Sequence, residues 1–225
     1  MAIVKHLTGF VPDPCASILS MEDEVMVEVP GGEPADDGSY QDQSLCRRQG
    51  PAVTWSIRRA EPGDRDGILE VVRAAFSAPG RDAHEELDIL SDTWSREARP
   101  PGLELVAMDG RMVIGHVLAA KGNLAGRAVL GIAPLSVLPH RQRQGIGTAL
   151  LTELLRRTDE EGWPLVVLLG DPRYYGRFGF EPAGPFGIVY PPVGADSPYF
   201  QVRWLTRVDP SLHGQFRYCW EDRQA

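Results

Sequence analysis

Between Val129 and Leu155 the chain reads VLGIAPLSVLPHRQRQGIGTALLTELL, and no other stretch restricts the fold as much. The apolar run around Ile132, Leu135 and Val137 is long enough for a strand buried on at least one face. Pro139 ends it, because proline brings no N–H to a sheet ladder. After the turn HRQRQGIG the period changes. Ile146, Leu150 and Leu154 recur every four residues, Leu151 and Leu155 widen the stripe, and Glu153, Arg156 and Arg157 fall on the opposite side. Gly162, with Pro164 just beyond, marks the end of that helix.

A strand that feeds a glycine-bearing turn and then a helix makes a seat for an anion. The first amides of a helix lack intrahelical partners and point outward, and the helix dipole adds about half a positive charge there. Gly145 and Gly147 leave the backbone open to close approach, and Arg141 and Arg143 bring positive charge. The motif points to a phosphate ligand. A dinucleotide fingerprint needs a small residue three places after the second glycine, where Leu150 stands, and a Walker loop needs a Gly-Lys-Ser/Thr run that the chain lacks.

Strand and helix patterns continue on either side. TWSIRRA, from Thr54, alternates as a first strand, and the domain is expected to begin near Val53. The spacing predicts helices over Asp64–Phe76 and Glu85–Trp94, then strands over Leu103–Ala107 and Met112–Ala120 joined through the hairpin signal Asp109-Gly110. Leu165–Leu169 is unbroken and apolar, as a strand covered on both faces should be, and the helix before it favours a parallel pairing with the strand before the turn. Further strands are expected around Phe186–Tyr190 and Phe200–Leu205.

Composition sets bounds on function. Of a net charge of −8, residues 1–50 hold nine acidic against three basic residues, which leaves −2 for the remainder. This balance argues against a nucleic-acid footprint, which would be a basic face. Residues 1–50 include GGEPADDGSYQDQS and are read as an acidic, disordered tail, and 51–225 as the domain. Val25–Val29 could form a short strand but has no obvious partner, and translation from Met21 or Met26 is an open alternative. No apolar run reaches membrane-spanning length and no signal peptide is evident. Three cysteines in no metal spacing and five scattered histidines predict a cytoplasmic protein without a metal.

A second chemical cluster follows the apolar strand: GDPRYYGRFGFEP. Asp171 and Pro172 form a helix start, and Gly179 is placed to end that helix within about two turns. Tyr174 and Tyr175 are thereby held on a short rigid element near the end of the sheet, where tyrosines most often serve packing.

Together these stretches resemble the GNAT superfamily of N-acetyltransferases. Gln142-Arg143-Gln144-Gly145-Ile146-Gly147 matches its Gln/Arg-x-x-Gly-x-Gly/Ala motif, and Tyr175-Gly176-Arg177-Phe178-Gly179-Phe180 matches its Tyr-x-x-x-Gly-Phe. GxAPLxV at Gly131–Val137, LGDPxYYxRFGF at Leu169–Phe180 and FQV at Phe200–Val202 resemble a bacterial branch of that family. The resemblance spans about Val53 to Leu205 and implies an α/β fold of α+β type, a mixed central sheet of about six to seven strands with helices on both faces. It implies acetyl-CoA as co-substrate, with the pyrophosphate held by Gln142, Arg143, Gln144, Gly145, Ile146, Gly147 and Thr148 and the pantetheine arm laid along Leu135, Ser136 and Val137. The backbone amide near Leu135 would serve the oxyanion, and Tyr175 would protonate the leaving sulfur. Tyr174 does not fit the spacing. Many members carry an asparagine seven residues before the tyrosine, where this chain has Leu168.

For the general base, Glu85 on the second helix is one candidate, and an ordered water relay is the other. His116, on a central strand, reads as a core residue. The expected reaction is direct acetyl transfer to a primary amine of a small molecule or peptide within a ternary complex, since no cysteine lies in the motifs to carry the acetyl group. No nucleic acid or membrane partner is expected, and the protein is expected to be a monomer or homodimer. A non-catalytic acyl-CoA-binding sensor would carry the same cradle, and a protein binding NAD through it is a third option.

Overall fold

The computed structural model describes residues 17–21, 24–31, 50–79 and 82–221, with side chains described from Trp55 onward. The strands are β1 (Ser17–Met21), β2 (Glu24–Gly31), β3 (Gly50–Arg59), β4 (Glu104–Asp109), β5 (Met112–Leu124), β6 (Arg127–Val137), β7 (Leu165–Leu169), β8 (Glu181–Pro182), β9 (Ile188–Val189), β10 (Phe200–Trp204) and β11 (Gly214–Tyr218). The helices are α1 (Arg65–Phe76), α2 (His84–Ser95), α3 (Ile146–Glu160) and the one-turn α4 (Pro172–Tyr175).

One mixed sheet runs in the order β1-β2-β3-β4-β5-β6-β7-β10-β8, with β11 and β9 attached beside β5. Its centre, β3 to β7 with β10, is the six-strand run that the sequence patterns describe. Every neighbouring pair in the main order is antiparallel except β6–β7, which is parallel and bridged by α3 as the connection length requires. Helices cover both faces. A Cβ on Gly115 of β5 would fall 2.9 Å from Ile146 of α3. The next residue, His116, turns to the other face, where it shares Glu104 with Trp94 of α2.

Helix boundaries follow local chemistry. Asp64 stands at the entrance to α1, accepting from the Glu61 amide at 2.7 Å and from the Arg58 guanidinium at 2.7 and 2.8 Å. Those Arg58 bonds hold its carboxyl below the usual carboxylate range. The buried face of α1 (Ile68, Val71, Val72) is the apolar stripe of the sequence; α3 buries its stripe (Ile146, Leu150, Leu151, Leu154) and, against expectation, Glu153 and Arg157 as well, which neutralise each other as an ion pair at 2.7 Å.

Two sequence expectations are corrected. Residues 1–50 are not without structure throughout, because β1 and β2 lie inside them. The Val25–Val29 run finds its partner in β3, with Val25 opposite Ile57 and Val29 opposite Val53. A strand needs an edge to pair with, and the sequence does not show which edge is open. Residues 1–16, 22–23 and 32–49 lie outside the described residues. Strand β5 also runs past Ala120 to Leu124, paired there on one edge with β6 from Lys121↔Leu130 to Leu124↔Arg127 and on the other with β11, through Gly122↔Tyr218 and Leu124↔Phe216. The glycines there are needed: a Cβ on Gly122 would lie 2.5 Å from the Phe216 ring, and one on Gly131 2.4 Å from the Tyr218 ring. The two rings lie on this bed and seed a second core with Phe200, Leu124 and Val129.

Candidate active site

Strands β6 and β7 begin side by side and then separate. Their pairing covers only Leu130–Ile132 with Val166–Leu168, while β6 continues to Val137 with β5 as its remaining neighbour. The register of β5 and β6 shifts between Val117/Leu135 and Ala119/Ile132, so Ala133 and Pro134 form a bulge where a residue without an N–H is tolerated. The parted strands open a cleft of about 710 Å³. One side is the unpaired edge of β6 with the turn and first residues of α3. Another is Gly170, Asp171, Tyr174 and Tyr175. The mouth is shaped by α1 and α2 (Phe76, Glu85, Glu86, Ile89) and by Tyr190, Tyr218 and Trp220.

The turn is built by its own polar groups. The Gln142 side-chain amide donates to the Val137 carbonyl at 3.1 Å, and that of Gln144 to the His140 carbonyl at 3.2 Å. These two glutamines shape the loop from within. Arg143 (φ 62°) and Gly145 (φ 82°) both adopt left-handed backbone, which turns the chain into α3 and brings its first amides to the cleft. Of the residues expected to hold the cofactor, Leu135, Ser136, Val137, Gln142, Arg143, Gly145, Ile146, Gly147 and Thr148 line the cleft, and Gln144 does not. Ile146 is 1% exposed and its side chain is packed in the core, so that side chain is not offered to a ligand. Arg141 lines the cleft too but is ion-paired to Asp109 of the β4–β5 hairpin, so part of its charge is already answered.

The tyrosine pair faces this turn. The Asp171 carboxylate caps α4, accepting from the Arg173 amide at 2.9 Å. Gly170 makes room for Tyr175: a Cβ there would lie 2.1 Å from the ring. Tyr175 is 9% exposed, with Tyr174 edge-on at 4.9 Å and Phe180 at 5.9 Å between ring centroids. Burial pushes its phenol well above the ordinary tyrosine range, and the neighbouring Tyr174 adds to this. The hydroxyl is therefore protonated at neutral pH. Tyr174, which the motif spacing passes over, faces the start of α3, with the Arg177 guanidinium 4.6 Å from its ring centroid. Its hydroxyl would lie 3.0 Å from a Cβ on Gly147, so that glycine makes room for a tyrosine as well as leaving the turn open.

The candidate bases separate. Glu85 is exposed on the first turn of α2 at the mouth, and Glu86 beside it is 2% exposed. His116 is 0% exposed, its Nε2 3.0 Å from Glu104 Oε1, while Trp94 Nε1 donates to the same oxygen at 2.9 Å and Arg99 pairs with Glu104 Oε2. Burial works to raise the Glu104 pKa, but the hydrogen bonds from His116 and Trp94 and the Arg99 charge outweigh it, and the carboxyl ends below its usual range. Sequence reasoning missed the aromatic wall of Tyr190, Tyr218 and Trp220. Tyr190 donates to Glu221 Oε1 at 2.5 Å, a contact between positions 31 residues apart that no local pattern announces. Among the described residues no group of three or more His, Cys, Asp or Glu could hold a metal.

A sheet split over a helix N-terminus, with a buried tyrosine on the facing wall, defines the acyltransferase class of α+β fold. The sequence agrees: the Acetyltransferase (GNAT) domain profile matches residues 56–183, and the chain belongs to the GNAT family of acetyltransferases. It is 36% identical over 163 residues to the uncharacterised N-acetyltransferase YhbS of Escherichia coli, covering 70% of this chain and 90% of that one. The crystal structure of E. coli YhbS in complex with CoA superposes with a TM-score of 0.67 at 30% identity, covering 80% of this chain and 98% of that one. A GNAT family acetyltransferase from Brucella melitensis in complex with acetyl-CoA gives a TM-score of 0.60 at 31% identity, over 73% and 95% of the two chains. No helix among the described residues is long and apolar enough to cross a membrane.

Proposed function

We propose that this protein transfers an acetyl group from acetyl-CoA to a primary amine of a small molecule or peptide, by direct attack within a ternary complex in the cytoplasm. The observation that carries the reading is the separation of β6 from β7 directly above the N-terminus of α3, with Tyr175 on the wall of the same cleft. Two relatives of this fold are described with CoA or acetyl-CoA bound, which supports the same ligand here.

The cleft fits that ligand. The left-handed Arg143 and Gly145 turn the loop amides and the first turn of α3 toward a diphosphate, which the helix dipole favours. The free edge from Leu135 to Val137 can pair with an extended amide-bearing arm as a sheet edge pairs with a strand. A backbone N–H near Leu135, fixed by the bulge, is placed to stabilise charge growing on the thioester oxygen. Tyr175 donates its proton to the departing sulfur. With its acidity weakened by burial, its contribution rests on position more than on proton affinity.

Thermal melting with CoA, acetyl-CoA and NAD, followed by thiol release against a panel of amines, aminoglycosides, amino acids and N-terminal peptides, tests the reading. CoA and acetyl-CoA raise the Tm, NAD does not, and at least one amine releases free thiol. Failure of CoA to bind at millimolar concentration overturns it.

A further inference from the structure

Ser136 of β6 lines the cleft, is 2% exposed, and its Oγ has no hydrogen-bond partner among the described residues. Directly opposite it across the β5–β6 ladder is His116, wholly buried, whose Nδ1 also has no partner while Nε2 is committed to Glu104. Opposed residues on antiparallel strands project to the same face with Cβ atoms about 4.5–5.5 Å apart. Two such atoms, each costly to bury alone, would both be satisfied by one water between them. Behind His116 the line continues through Glu104 to Arg99, whose side chain is 30% exposed. A polar file thus crosses the apolar face of the sheet from cleft to surface.

We propose that Ser136, a buried water, His116 and Glu104 form the proton exit for the acceptor amine. This rests on the acetyltransferase reading above. An alkylammonium must lose two protons to become an amide. In the proposed sequence its first proton passes through the Ser136 hydroxyl and the water to His116 Nδ1, and Glu104 stabilises the resulting imidazolium through Nε2. The freed lone pair forms the C–N bond, the C–S bond breaks, and the sulfur takes its proton from Tyr175. The second proton of the nitrogen restores Tyr175, and the imidazolium returns its own to solvent. His116 and Glu104 act through Ser136 and the water, so they are positioning residues. The other polar groups near this file are Trp94 and Glu86 of α2 and Arg99, with Glu86 also lining the cleft.

The test uses Ser136→Ala and His116→Gln in the full chain, with CoA affinity and Tm as controls. With the amine that releases thiol fastest in the panel, Ser136→Ala lowers kcat at pH 7 by at least about tenfold. The deficit shrinks as pH rises toward the pKa of that amine, because more of it arrives already neutral. A packing defect shows no such rescue. The nitrogen-15 spectrum of the histidine rings needs no acceptor. In the CoA complex, His116 is neutral with its proton on Nε2, and its Nδ1 resonance moves in Ser136→Ala. The proposal is overturned if kcat falls equally at all pH values, if Nδ1 ignores Ser136→Ala, or if His116 is a permanent imidazolium. Should His116→Gln fail to fold, Ser136→Ala and the spectrum decide alone. If CoA itself does not bind, the acetyltransferase reading falls instead, and the two failures are told apart.

Discussion

At the scale of single residues, the site depends on where two rings sit. Tyr175→Phe keeps the ring packing with Tyr174 and Phe180 and removes only the hydroxyl. Turnover is expected to drop by about a hundredfold or more while the Kd for CoA, read by calorimetry, stays within about twofold. A sensor that binds acyl-CoA without turnover would show no activity to lose. Gly170→Ala makes the complementary test. Its methyl would fall 2.1 Å from Tyr175, so the ring must move. A loss of about 1–3 kcal/mol in denaturant unfolding is expected together with loss of thiol release. Glu104 adds a pH dependence. Its carboxyl titrates lower folded than unfolded, so its stabilisation is present at neutral pH and disappears as pH falls through the folded pKa. Glu104→Gln, which removes the anion that Arg99, His116 and Trp94 share, should cost about 1–3 kcal/mol at pH 7. The gap to the parent should narrow as melts are repeated at progressively lower pH.

At the scale of elements, the one-turn helix α4 is held by its cap. Asp171→Ala removes the acceptor of the Arg173 amide and is expected to cost about 1 kcal/mol. Because α4 carries both tyrosines, thiol release should fall more than stability does. Most elements were legible because their signals are local: the α1 and α2 stripes, the Asp109-Gly110 turn, the continuous Leu165–Leu169 run and the Gly-bearing turn into α3 each announce themselves within a few residues. What escaped was set by distant partners. The strands at Ser17–Met21 and Glu24–Gly31 join the sheet through β3, and the second edge of β5 beyond Ala120 is closed by β11. Tyr174 does not fit the motif spacing, yet its hydroxyl reaches α3 beside Gly147, a relation visible only once the two elements are side by side. The Ser136–His116 opposition was hidden for the same reason: twenty residues separate them, and only the β5–β6 register makes them neighbours.

At the scale of the whole molecule, the ligand belongs to the fold's own stability. A ligand that binds only the folded chain adds about 2.7 kcal/mol at a hundred times its Kd, so saturating CoA should raise the Tm by about 5–10 °C in a domain of this size. The sheet has β6 and β7 joined by three facing pairs and then apart. An extended arm lying along Leu135–Val137 would act as a detachable strand, closing a seam that the polypeptide leaves unsewn. The amides along that seam should then exchange with deuterium at rates governed by occupancy, so that the sheet's own protons count the ligand as it comes and goes.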